Sequence, residues 1–330
     1  MESVYAKYSI PKTTHSYCYL YIEKGVACVN DVIRIRRNML GMSRAELCQG
    51  ICDQKTLVRL ENKKTNSQKA VVVELFERLG LAGTLSRTVL VTERPEVRRL
   101  ISRMRWYNIN FEIDKAEIIL AQIKALVSAD KKCNLQFLMQ QEVNLQGQRQ
   151  ELDDETYCQK MQEALELTLP FKAFLKKGEK YLTYQEQICI QNLMQKMNKK
   201  GDDFRNCMER FEEMYIPIVE GELIETVNER YGFVMRYVQS ELEGLGKYNQ
   251  AKRYAENIIT EELRSYRMPF IARCLYACWR NDTQRRGHGI LTGRMLDTKT
   301  ELTNCIRFSR LSKLTFDESY FKEMLQHGTK

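Results

Sequence analysis

Only 5 prolines and 16 glycines punctuate the 330 residues, so there is almost nowhere along the backbone that a helix is forbidden or strongly disfavoured. A chain of this length exceeds one ordinary helical core, which predicts two or more cooperating all-α units. Apolar residues (43%) and charged residues (29%) stand in the proportion of a globular protein in water. No apolar run reaches the roughly 20 residues that span a bilayer, and the stretch before Gly25 lacks the unbroken apolar core of a secretion signal. The expectation is a soluble, cytoplasmic protein with no membrane contact.

The net charge of +9 is unevenly placed. Lys and Arg outnumber Asp and Glu by 16 to 8 within residues 31–110, whereas residues 111–330 hold 33 of each. An excess confined to one stretch suits a surface that meets a polyanion, and the balanced remainder predicts no such contact. The 11 cysteines are scattered over apolar faces and read as small buried hydrophobes in a reducing compartment. Cys48/Cys52 and Cys274/Cys278 are each one helical turn apart, but no second ligand pair or nearby histidine completes a zinc set. With 3 histidines and no glycine-rich phosphate loop, HExxH or nucleophile elbow, neither an enzyme nor a metal or cofactor is expected.

Residues 29–81 carry the sharpest local signals. A helix over Val29–Leu40 stops at Gly41, suited to the left-handed turn after a helix. Ser43 and Glu46 form a capping box that opens a second helix, which Gly50 closes. Asp53 caps a third helix from Gln54 to about Asn62, and Ser67 caps a fourth that ends at Gly80. Val32, Ile35, Leu47, Ile51, Leu57, Leu60, Leu75 and Leu79 recur at helical spacing and predict one small shared core. A two-turn helix, a tight turn and a longer helix make the layout of a helix-turn-helix. Gln54, Lys55 and Arg59 avoid the Leu57/Leu60 stripe and are expected to face outward. There Arg can pair with guanine and Gln with adenine, each contributing roughly 1–3 kcal/mol of discrimination. The alternative is a surface-charged helical cluster that packs on protein.

The strings IRIRRNMLGMSRAEL and TLVRLENKK resemble the phage-repressor-type (XRE) helix-turn-helix family over about 50 residues. The resemblance implies that the helix starting at Gln54 is the recognition helix, with Gln54, Lys55 and Arg59 at base edges. It implies phosphate contacts from Arg44 and Asn62, joined by Lys63 and Lys64 through their charge, and a buried ion pair between Arg37 and Glu61 linking the first helix to the third. Two features depart from the pattern: the turn around Gly50–Cys52 is one residue short, and Lys63–Lys64 stands where glycine commonly follows Glu-Asn.

Beyond Pro95 the chain reads as helix pairs. In residues 232–259 a helix ends at Gly246, and a second places Tyr248, Ala251, Ala255, Ile258 and Ile259 on one face. This resembles a tetratricopeptide repeat, and the same phase falls on Ala116, Cys158 and Cys207, with Pro170 and Pro217 closing two of the second helices. The anchors are 42, 49 and 44 residues apart, against about 34 in the consensus, so the repeats are degenerate. A poorer pair is expected over Met268–Arg280 and Glu301–Leu325, with residues 280–294 as a loop. The predicted organisation is an N-terminal extension (1–28), a helix-turn-helix unit of four or five helices (29–81), a basic connector with the first repeat helix (82–110) and a right-handed superhelix of repeats (111–330).

A helix-turn-helix followed by such repeats resembles the bacterial regulators that bind short signalling peptides. That likeness implies a homodimer on double-stranded DNA, with a small peptide held on the inner surface; Gln191, Gln195, Arg236 and Ser240 are the candidate peptide contacts. The competing reading is an interaction scaffold whose helix-turn-helix no longer reads DNA. Two roles are open to the arginine-rich connector, contact with DNA phosphates or pairing with acidic residues of the repeats. Three are open to residues 1–28: extending the first helix, packing on the repeats, or a remnant of another helical unit.

Overall fold

A computed structural model describes residues 20–22, 25–27, 29–62, 68–81, 90–92, 94–219, 231–264, 270–287 and 298–327. Among them, strands β1 (Leu20–Ile22) and β2 (Gly25–Ala27) pair antiparallel with Leu20 opposite Ala27. Every other described element is a helix. Of the three roles left open for the N-terminal segment, extension of the first helix does not hold for these residues, in keeping with their strand-favouring Tyr, Ile and Val.

Four helices form the first core: α1 (Val29–Met39), α2 (Arg44–Cys48), α3 (Gln54–Glu61) and α4 (Lys69–Arg78). The Ser43 hydroxyl accepts from Glu46 N–H at 3.1 Å and the Glu46 carboxylate accepts from Ser43 N–H at 2.7 Å, closing the capping box. Asp53 accepts from both the backbone N–H and the hydroxyl of Thr56, at 2.8 and 2.7 Å. Val32, Ile33, Leu47, Leu57, Leu60, Leu75, Phe76 and Leu79 bury together. Ser67 lies outside the described residues, and α4 is entered through Gln68, whose side chain makes no cap bond.

The rest of the chain stacks helix pairs, each burying one face on the next. They are α5 (Glu96–Ile109) with α6 (Ile113–Leu126), α7 (Lys132–Gln148) with α8 (Asp154–Glu166), α10 (Tyr184–Lys196) with α11 (Asp202–Val219), and α12 (Tyr231–Gly244) with α13 (Tyr248–Arg264). A short α9 (Phe171–Leu175) intervenes, and α14 (Ile271–Gly287), α15 (Thr298–Leu311) and α16 (Thr315–His327) complete the array. Ala116, Cys207 and Ala251 are fully buried in second helices, where a small side chain lets the pair close up; Cys158, in α8, is partly buried.

Four of the tight turns between successive helices share one construction. After α12, Gly246 (φ +75°) donates to Glu243 O and Lys247 donates to Leu242 O, at 3.0 and 2.9 Å. Phe111, Gln150 and Lys313 take the same left-handed conformation at the α5–α6, α7–α8 and α15–α16 turns, with the same pair of backbone bonds.

Four sequence-based boundaries are revised. Pro170 does not close α8, which ends at Glu166; it caps α9 instead. Pro217 lies inside α11, two residues before its end at Val219. Residues 281–287, expected as loop, continue α14, where Asn281 Nδ2 donates to Ala277 O and Asp282 accepts from Lys252. The expected final helix is two, split at Lys313. The array also returns on itself. Asn110 Oδ1 at the end of α5 accepts from Thr315 N–H at 3.0 Å, and the rings of Phe111 and Phe316 lie 4.3 Å apart.

Candidate nucleic-acid interface and ligand face

On α3 the buried Leu57 and Leu60 fix one side of the helix to the core, and Gln54, Lys55 and Arg59 are exposed along the opposite edge. The helix is held at its far end by Glu61, which is 3% exposed. Arg37 Nε of α1 donates to Glu61 Oε1 at 2.7 Å, and Arg44 Nε of α2 donates to Glu61 Oε2 at 2.7 Å. Arg37 also donates to Met42 O at 2.9 Å. One carboxylate thus fixes the angle between three helices. Arg44 is therefore engaged through its Nε while its side chain stays 41% exposed. Asn62 is exposed just past the end of α3, and Lys63 and Lys64 lie outside the described residues. Arg78 of α4 donates to the Leu47 carbonyl at 3.0 Å and to the Gln49 carbonyl, satisfying the end of α2.

Sequence reasoning missed Arg36, a neighbour of Arg37 that is fully enclosed. Its guanidinium meets Glu186 of α10 through both terminal nitrogens, and donates to Thr168 O, Tyr181 O and Leu79 O at 2.9, 3.1 and 3.1 Å. Glu186 accepts further bonds from Thr168 Oγ1 at 2.6 Å and Thr183 N–H at 2.8 Å. Ile35 and Met39 of α1 join the core of the repeats on the same side. At Gly80 (φ +72°) an added Cβ would stand 2.9 Å from Thr168 O, so this contact requires glycine. The available signal was phase: Arg36 is one turn from both Val32 and Ile33 on the apolar stripe of α1.

The first helices of successive pairs, α7, α10, α12 and α14, pack on one another. Amide side chains bridge them: Asn108 of α5 donates to Gln141 at 3.2 Å, and Gln185 of α10 donates to Gln140 at 2.7 Å. Asn108 Oδ1, Gln148 Oε1, Gln191 Oε1 and Asn192 Nδ2 are buried without a partner. Of the sequence-selected candidates, Gln191 is 1% exposed, Arg236 is half-buried, and Gln195 and Ser240 face solvent. Gln191 and Gln195 share a face of α10 one turn apart, as do Arg236 and Ser240 on α12. Burial pushes the thiols of Cys207, Cys274, Cys278 and Cys305 up to about 12, which makes them poor nucleophiles near neutral pH. In the connector, Arg98, Arg99 and Arg103 are exposed on α5, and Arg105 lies 5.2 Å from the centre of the Tyr184 ring. Among the described residues no helix is long and apolar enough to cross a membrane.

No family model matches the chain, and no curated protein matches it. Solved structures do match along nearly its whole length. PlcR of Bacillus thuringiensis, in complex with the peptide PapR7 and DNA, matches with a TM-score of 0.51 at 13% identity, over 91% of this chain and 99% of its own. ComR of S. thermophilus, in complex with DNA and its signalling peptide ComS, matches with a TM-score of 0.51 at 14% identity, over 90% of this chain and 98% of its own. ComR of Streptococcus vestibularis, with the signalling peptide XIP, gives 0.50 at 12% identity, over 89% and 96%. The chain therefore shares the fold of these proteins, a helix-turn-helix followed by tetratricopeptide-like helix pairs.

Proposed function

We propose that the protein is a transcription regulator of the phage-repressor type. Residues 29–81 read double-stranded DNA, and residues 111–330 bind a short signalling peptide and hold two copies together. The observation that carries the DNA half is the polar edge of α3. Gln54, Lys55 and Arg59 are exposed on a helix whose other side is locked by Leu57, Leu60 and the Arg37–Glu61–Arg44 cluster. A rod presented in this way fits the major groove, where two such helices about 34 Å apart read successive half-sites. Arg44, Asn62, Lys63 and Lys64 are assigned to phosphates in this reading, with Arg44 reaching outward from its bond to Glu61. The excess positive charge of residues 31–110 supplies the attraction that is blind to sequence.

Support for the peptide half comes from the unpartnered amides on the first helices of the pairs. An amide offers a donor and an acceptor together, the complement of an extended peptide main chain. The solved structures that share the fold carry DNA and signalling peptides, which agrees with both halves. Selection from a random duplex pool tests the reading. Enrichment of a motif with two-fold symmetry, bound more weakly as salt rises, is the expected result. Weak binding indifferent to sequence would refute it and leave the helix pairs as a protein-interaction scaffold.

A further inference from the structure

The second half of the helix array holds a cation whose neighbours are already committed. Arg236 lies midway along α12, and the charges that act on it are those of Arg273, Asp317 and Glu243. Asp317 is taken by Arg273, whose Nε donates to Oδ2 at 2.7 Å while Nη2 bonds Oδ1. Glu243 is paired with Arg280 Nε at 2.7 Å. Among the described residues, no carboxylate or other acceptor is bonded to Arg236. Desolvation, and then the nearby charge of Arg273, push its guanidinium below the ordinary arginine range. A half-buried cation beside a second cation is destabilising unless an anion joins it.

The adjacent α10 narrows the class of anion. It carries Gln191 Oε1, a buried acceptor, and Asn192 Nδ2, a buried donor, both without partners. A phosphate needs donors only and would meet the Gln191 oxygen unfavourably, whereas a peptide main chain uses donor and acceptor alike. Ser240, one turn beyond Arg236, is exposed and carries the same face out to solvent. We propose that Arg236 is a carboxylate-binding residue that receives the terminal or side-chain carboxylate of an extended peptide lying along α10 and α12. This rests on the peptide-sensing reading above and names the group that anchors the ligand.

The test uses a random heptapeptide library made once with free C-terminal carboxylates and once with C-terminal amides. Each is retained on the full chain and on its Arg236→Gln and Arg236→Lys variants. The wild type is expected to retain the acid form about tenfold better, the worth of one charge-assisted bond, with Arg236→Gln losing the preference and Arg236→Lys keeping part of it. Amide peptides retained through Asp or Glu would assign the carboxylate to a side chain; their absence would assign it to the terminus. Acetate provides a probe independent of peptides, because it should shift the Nε–Hε resonance of Arg236 in arginine-labelled protein. Equal retention of acid and amide forms by wild type and Arg236→Gln would overturn the anchor and leave the peptide reading standing. No retention of either form, with the acetate shift present, would support the carboxylate site and refute the peptide reading. An Arg236 resonance that ignores acetate would overturn the proposal. So would an Arg236→Gln melting temperature well below wild type, because removing an unpaired, half-buried charge should not destabilise the fold.

Discussion

Replacing Arg36 with Met removes the guanidinium that joins α1 to α10 while keeping a stem of similar length. Glu186, itself fully enclosed, would retain only Thr168 Oγ1 and Thr183 N–H as donors. The Leu79, Tyr181 and Thr168 carbonyls would each lose a donor at about 3 Å. Removing one partner of a buried pair leaves an uncompensated charge and costs about 3–5 kcal/mol. Glu186→Gln alone strands Arg36 in the same way. In the double variant no charge remains, so its cost falls short of the two single costs together, with a coupling of about 2 kcal/mol. Urea unfolding of the wild type, both single variants and the double variant closes the cycle. A loss below about 1 kcal/mol in Arg36→Met, the worth of an exposed pair, or a coupling near zero would refute the argument that this contact is dry and cooperative.

Other outcomes follow from the same geometry. On a selected duplex, Arg59→Ala should lose roughly 1–3 kcal/mol of preference at one base pair, whereas Arg44→Ala should weaken all sequences alike and reduce the salt slope by about one; competition binding at several salt concentrations separates the two. The bonds from Thr56 to Asp53 hold that carboxyl below the usual aspartate range, so the cap stabilises fully above that range and is lost as pH falls through the lowered value. Asp53→Asn keeps a capping side chain without the titration, and its thermal stability should lack this acid-side decline. Gly80→Ala should be more damaging than Gly41→Ala in thermal unfolding. Both need positive φ, but only at Gly80 would the new Cβ strike backbone, 2.9 Å from Thr168 O, whereas at Gly41 it meets nothing within 4 Å.

What could be read in the sequence was what is written within one or two helical turns. The Ser43–Glu46 box, the Asp53 cap and the apolar stripe of α3 are local, and they fix the exposed edge of α3. Gly246 marks its turn openly, which is why the α12–α13 pair stood out. Phe111, Gln150 and Lys313 perform the same turn without a glycine, so the α5–α6 and α7–α8 boundaries were diffuse and the α15–α16 break was invisible. In RIRR the helical phase marks Arg36 as inward-facing, but its partner Glu186 lies 150 residues away and nothing local names it. The closure of Asn110 and Phe111 on Thr315 and Phe316 spans 205 residues and leaves no local trace.

The claim most in need of a direct measurement is that α3 lays its polar edge against base edges. Replacing individual guanines of a selected duplex with 7-deazaguanine deletes the N7 acceptor without changing the backbone. The account predicts about a tenfold loss of wild-type affinity at one guanine in each half-site, and no further loss there for Arg59→Ala. An equal loss in both proteins, or none at any guanine for the wild type, would contradict it.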